Sequence, residues 1–208
     1  MRKLWTLLLS VFMITAFTAC GGTTGASADK KASNSTPASS ESKQTASSTS
    51  KTLVVYFSCS GNTKKLAQTA ATALNADIYE IVPEKPYTNN DLNYNDESTR
   101  ATVEQKDDKA RLALKDKNAN IAAYDKIVIA YPIWWGQAPR IVDTFLESYD
   151  FSGKTIAPIC TSGGSDVGSS ADYLKSITRG SANWKPGKKF SPSASAQELK
   201  SWLNGQGL

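Results

Sequence analysis

An α/β domain built on a parallel sheet is what this sequence predicts, and three observations carry the prediction. Lys126-Ile127-Val128-Ile129-Ala130 is a continuous apolar run, the pattern of a strand buried on both faces. Two other strand candidates, Leu53-Val54-Val55 and Thr155-Ile156-Ala157-Pro158-Ile159, each run through a short polar loop towards a helix candidate. The helical segments between them show helical periodicity: Leu66, Ala70, Ala73 and Leu74 within Lys64 to Leu74, and Ala138, Ile141, Val142, Phe145, Leu146 and Tyr149 within Ala138 to Tyr149. Strands alternating with helices belong to a sheet covered on both faces.

The loops hold the chemistry. Tyr56-Phe57-Ser58-Cys59-Ser60-Gly61-Asn62-Thr63 ends the first strand and opens the first helix, bringing hydroxyls, backbone N–H groups and a positive helix end to one point. Such a point suits a phosphate. A strand-to-helix turn with a good N-cap uses the same residue types for structural reasons alone. Tyr131-Pro132-Ile133-Trp134-Trp135-Gly136-Gln137-Ala138-Pro139 follows the central strand and carries two adjacent tryptophans. Thr161-Ser162-Gly163-Gly164-Ser165-Asp166-Val167-Gly168-Ser169 follows the strand after it. All three loops leave the carboxyl ends of strands, where open α/β sheets bind ligands.

In the order and spacing of these loops, residues 51 to 208 resemble the flavodoxins, in particular a branch with a Ser-x-Ser/Thr-Gly-Asn-Thr phosphate loop and a Tyr-Pro-Ile-Trp-Trp-Gly loop. The resemblance implies a flavodoxin-like three-layer sandwich whose five-stranded parallel sheet has the order 2-1-3-4-5. It also implies flavin mononucleotide (FMN) as cofactor. Its phosphate would fall to Ser58, Cys59, Ser60, Gly61, Asn62 and Thr63. The ribityl chain and ring would fall to Pro132, Ile133, Trp134, Trp135, Gly136, Thr161, Ser162, Gly163, Gly164 and Gly168. Large rigid indoles suit a planar tricycle, and glycines let backbone N–H groups approach ring atoms. The alternatives are a core Trp with a covering Trp, and an ordinary Gly/Ser connection for the third loop.

The remaining elements follow in order. Asp77 to Val82 reads as a strand at a sheet edge, and Pro83 to Ser98 as a polar insertion holding Tyr87 and Tyr94, either a cover for the flavin or packed without a chemical role. Thr99 to Lys115 predicts a charged helix with a buried stripe through Val103, Ala110 and Leu114. Lys85 and Arg100 read as solvated charges rather than anion ligands. The fifth strand, Trp184 to Phe190, is interrupted by Pro186 and Gly187, which predicts a short or irregular edge. Ser195-Ala196-Gln197-Glu198 is a capping box opening a last helix that buries Leu199, Trp202 and Leu203.

Residues 1–19 have the form of a signal peptide: Met1-Arg2-Lys3, an apolar stretch from Leu4 to Phe17, then Thr18-Ala19. Phe17-Thr18-Ala19-Cys20-Gly21 resembles a bacterial lipoprotein cleavage site, which makes Cys20 the lipidation candidate and predicts an extracytoplasmic chain anchored to the cell membrane. A plain secretory signal or an uncleaved anchor is the other reading. Residues 20–50 hold Gly, Ala, Ser, Thr and Lys with almost nothing apolar, a composition that cannot offset the cost of ordering. As a coil of about 30 residues this tether reaches roughly 30 Å. Residues 51–208 then form one domain.

Three cysteines less Cys20 leave Cys59 and Cys160. The implied strand order separates them by two strand spacings, roughly 9 to 10 Å, too far for a disulfide. Both should be free thiols, with Cys59 open to activation by the helix end, though packing in the loop explains it as well. With no histidine in the chain and no metal-ligand spacing, metal catalysis and serine hydrolysis are poorly served. No basic stripe interleaved with aromatics points to nucleic acid. The formal charge of +5 is basic where cytoplasmic flavodoxins are acidic, and suits a place near an anionic surface. The reading favoured is a membrane-tethered FMN protein passing electrons to a redox partner protein or a small electron acceptor. An FMN-dependent NAD(P)H or quinone reductase of the same fold, and a flavin-free binding module, are the alternatives.

Overall fold

The computed structural model describes residues 50–208, so the signal, Cys20 and tether readings lie outside the described residues. The strands are β1 (Thr52–Tyr56), β2 (Asp77–Glu80), β3 (Lys126–Pro132), β4 (Thr155–Thr161), β5 (Asn183–Trp184) and β6 (Lys188–Lys189). The helices are α1 (Asn62–Leu74), α2 (Arg100–Lys106), α3 (Arg140–Ser148), α4 (Ser170–Ile177) and α5 (Ala196–Gly205). Every strand pairing is parallel, and the sheet order is β2-β1-β3-β4-β5, with β6 also pairing β4. The fifth position is therefore one edge broken in two at Pro186 and Gly187, because proline cannot donate to the ladder.

Alternate residues of the central strands bury on opposite faces, as the pleat requires. Val54, Tyr56, Val128, Ala130, Ala157 and Ile159 join Leu66, Ala70, Leu199 and Leu203 of α1 and α5 in one core. Leu53, Val55, Ile127, Ile129, Tyr131 and Ile156 join Ile141, Phe145, Leu146 and Leu174 of α3 and α4 in the other. This makes three layers. β2 lies at the edge, where Ile78 is 44% exposed. Ser195 caps α5, accepting from the Glu198 amide at 3.1 Å, half of the reciprocal box the sequence suggests.

One element departs from expectation. The helix predicted from Thr99 to Lys115 stops at Lys106, and it buries Ala101, Thr102 and Gln105 while Val103 stands 54% exposed. Tertiary bonds decide both points. Gln105 donates from Nε2 to the Ala138 carbonyl at 3.0 Å, turning that face inward. Further on, Glu84 N–H to Ala113 O (2.8 Å) and Lys115 N–H to Val82 O (2.8 Å) hold residues 113–115 against the end of the β2 segment. Leu114 thus bridges Pro83 in an extended backbone, and Ala110 is only half-buried.

Candidate functional site

A cavity of about 700 Å³ opens at the carboxyl end of the sheet, within the size range of small-molecule sites. Ser58, Cys59, Ser60, Asn62 and Thr63 form one wall and Pro132, Ile133, Trp134 and Trp135 another. Thr161, Ser162 and Gly163 close a third side. The remaining predicted residues, Gly61, Gly136, Gly164 and Gly168, do not line it. Their part is in the turns: Gly61 at φ 84° and Gly136 at φ 79° occupy the left-handed region that glycine reaches without cost.

The first loop is shaped for an anion. Gly61 stands at the N-cap of α1, and no side chain caps that helix although Ser58, Ser60, Asn62 and Thr63 surround its start. The Ser58 hydroxyl accepts instead from the Gly61 amide at 3.1 Å, and the first turn contains no acidic residue. The helix end therefore keeps amides and a positive dipole facing the cavity. A side-chain cap, which the capped-turn alternative would use, is not made at this helix start. Thr63, only 1% exposed, pairs its hydroxyl with that of Thr161 at 2.7 Å.

The tryptophan loop is a tight hairpin. Trp134 and Gln137 exchange both backbone bonds, 2.8 and 3.0 Å, and the two residues between them have positive φ, 47° at Trp135 and 79° at Gly136. A turn of that hand needs both. It sends the indoles opposite ways. Trp134 packs edge-on against Phe57 at 5.7 Å and Tyr87 at 5.4 Å, while Trp135 is 47% exposed at the cavity mouth. One half-buried Trp packed against the core and one open Trp is the arrangement, with both bordering the cavity. Ile133 N–H to Thr161 O (2.9 Å) and Gln137 Nε2 to Ser169 Oγ (3.0 Å) bind this loop to the third.

Residues outside the three loops complete the walls. Leu92, Tyr94 and Ala101 come from the β2–β3 crossover, and Pro192 follows β6. Tyr94 is 73% exposed and borders the cavity, whereas Tyr87 is fixed by Trp134, by a hydrogen bond from its hydroxyl to Glu104, and by Arg100 stacked 4.2 Å over its ring. Arg100 is more than the solvated charge expected: it also pairs with Glu104 at 2.7 Å and donates to the Lys85 carbonyl at 2.8 Å. Lys85 itself is exposed. A polar insertion gives sequence reasoning no register to find Leu92 or Ala101; only the alanine's place on the buried face of α2 marks it.

Cys59 and Cys160 are both free. Cys59 is exposed, and desolvation pushes its thiol up to about 12, opposed by Arg100 and aided by Glu104, the direction opposite to activation. Burial likewise holds Cys160 up at about 12. Among the described residues, no group of three His, Cys, Asp or Glu could hold a metal ion, and no helix is long and apolar enough to cross a membrane.

A three-layer parallel domain with a phosphate-shaped helix end facing an aromatic-walled cleft defines a nucleotide-cofactor α/β protein of the flavodoxin type. A profile described as flavodoxin matches residues 51–206, and the chain belongs to the flavodoxin family. A presumed flavoprotein from Bacteroides eggerthii is similar at 42% identity, covering 76% of this chain and 99% of its own, with a TM-score of 0.71. One from Bacteroides uniformis is also 42% identical, covering 74% and 98%, at 0.69. A Lactobacillus acidophilus flavoprotein in complex with FMN shares the fold at 22% identity and a TM-score of 0.54, covering 74% and 99%. A search of curated proteins finds no match.

Proposed function

We propose that this chain binds FMN in the cleft and acts as an electron carrier, held outside the cytoplasmic membrane by a lipid on Cys20. The observation that carries the reading is the meeting, in one cavity, of the uncapped end of α1 with the two loops that present Trp135 and the Thr161–Gly163 backbone. Bound FMN supplies the redox chemistry. The protein's residues do the rest: the α1 amides and the Ser60 and Thr63 hydroxyls suit the phosphate, and Trp135 offers an exposed aromatic face. The donor set fits, since it combines anion-binding N–H groups with a flat apolar wall and no competing carboxylate in the first turn of α1.

The membrane part of the proposal rests on Met1 to Gly21 alone. The partner is a redox protein or a small electron acceptor reaching the open side of the cavity. The deciding experiment is a visible spectrum of the purified protein before and after adding FMN, with riboflavin as the comparison. A flavin spectrum retained through gel filtration supports the reading; no bound flavin at saturating FMN removes it. Cys20→Ser should abolish incorporation of labelled fatty acid, and equal labelling of mutant and wild type would remove the anchor.

A further inference from the structure

We propose that Thr161, which belongs to the third loop, is a positioning residue for the cofactor's phosphate at the first loop, acting through the hydroxyl of Thr63. The inference rests on the FMN reading and extends it to a residue assigned above to the ribityl and ring side.

Thr63 and Thr161 are 98 positions apart, yet their hydroxyl oxygens lie 2.7 Å from each other. Both residues border the cavity, and both are nearly buried, at 1% and 5% exposure. The direction of this bond matters. A phosphate has only acceptor oxygens facing the loop, so a Thr63 hydroxyl whose proton points to Thr161 would present lone pairs to an anion. If Thr161 donates to Thr63, the Thr63 proton is free to donate onward to the phosphate. Phosphate binding therefore selects the chain Thr161 O–H to Thr63 Oγ1, then Thr63 O–H to phosphate oxygen. Each donor in such a chain polarises the next.

The backbone holds Thr161 in place for this. It is the last residue of β4, paired in register with Pro132 of β3, and its carbonyl accepts the Ile133 amide at 2.9 Å. One residue thus touches all three loops: its carbonyl fixes the tryptophan loop, its hydroxyl meets the phosphate loop, and its chain begins the third. A side chain that served packing alone would need no hydroxyl here, and valine has the same shape.

The test titrates flavin fluorescence with the purified full-length chain, using FMN and riboflavin as separate probes. Thr161→Val should lower FMN affinity about five- to tenfold, the scale of one hydrogen bond, and leave riboflavin affinity within about twofold. Thr161→Ser, which keeps the hydroxyl, should restore most of the FMN affinity. In the Thr63→Ala background the Thr161→Val change should cost FMN little further, because the relay is already cut. Equal losses for the two flavins, or additive losses in the double variant, would overturn the proposal and leave Thr161 a packing residue. Failure of the wild type to bind FMN would instead overturn the flavin reading itself. Should Thr161→Val melt far below wild type, Thr161→Ala takes its place, alone and in the Thr63→Ala background, with the same outcomes expected.

Discussion

Residue by residue, the site keeps some of its side chains in costly states. Trp135 has φ 47°, a left-handed conformation that costs an L residue roughly 1 to 2 kcal/mol. Replacing it with glycine should raise unfolding free energy by about 1 kcal/mol in urea melts while weakening flavin binding, the two effects going opposite ways. A variant that is less stable would mean the indole's contacts outweigh the strain. Asp143, in α3 and outside the cavity lining, is also in a costly state. It is fully buried, with Arg140 at 3.3 Å, Arg111 at 3.8 Å and the Tyr173 hydroxyl at 3.1 Å, and Arg140 in turn also meets Asp108. Burial outweighs these partners and raises the Asp143 carboxyl to about 6. Because the folded state then binds the proton more tightly than the unfolded chain, this group's contribution is full below about pH 4 and is lost as pH rises through 6. Relative to Asp143→Asn, the wild type should lose on the order of 2 to 3 kcal/mol between pH 4 and 6.5 in paired denaturation series. Asp91, Asp96 and Asp150, held low by hydrogen bonds from their own turns, and Asp116, held low first by the Tyr79 hydroxyl, act below about pH 4 and leave that window clear. A flat difference across the window would refute the assignment. None of this was legible in the sequence, where the periodicity of this helix marks only its apolar residues.

At the scale of elements, legibility followed burial. Strands β1, β3 and β4 were visible because they are apolar on both faces, and α3 because Ala138, Ile141, Val142, Phe145 and Leu146 share one face with no exposure. The site loops were visible for a related reason: turns and helix starts restrict residue type, so Gly61 and the Trp-Trp-Gly sequence announce themselves. The β2–β3 crossover was not, because its helix is oriented by polar contacts, Gln105 to the Ala138 carbonyl and Arg100 and Glu104 to the Lys85 carbonyl and Tyr87, rather than by an apolar stripe. Gln105→Ala should accordingly destabilise the fold by about 1 to 2 kcal/mol by leaving the Ala138 carbonyl without its partner. Val103→Ala, on the exposed side, should stay within about 0.5 kcal/mol. The opposite ranking in thermal or chemical melts would restore the Val103 stripe. Since Ala138 ends the tryptophan loop, Gln105→Ala should also broaden that loop's signals in amide hydrogen exchange.

Taken as a whole molecule, the domain puts its chemistry in a cofactor cleft rather than in titratable side chains. With no histidine in the chain, proton transfer by imidazole is absent by composition. The flavin-loaded protein should be reduced slowly by NADH or NADPH alone and quickly by a small redox dye. Stopped-flow bleaching by either nicotinamide that is fast and saturates with concentration would favour a reductase instead. The parallel sheet was legible in the succession of strand–loop–helix units, down to the broken fifth strand, while its 2-1-3-4-5 order was what the flavodoxin resemblance implied. Of the cavity lining outside the three loops only Tyr94 was singled out, because Leu92 and Pro192 sit in segments without periodicity.

Strict parallelism has a directional consequence. Every strand starts at one pole and delivers its loop at the other, so Ser50 and Lys51 lie beside Leu74, Asn75 and Asp77, at the pole away from the cleft. β1 has five residues, which puts about 16 Å of strand between that attachment point and Ser58. An electrode or bead that grips the domain at Lys51 grips it from behind, with the cleft turned towards the solution. Voltammetry on a protein immobilised that way should address the flavin poorly from the support and readily through a dissolved mediator. Fixed instead through a cysteine introduced at Ser193, next to Pro192 on the cavity's rim, the same protein should show direct current.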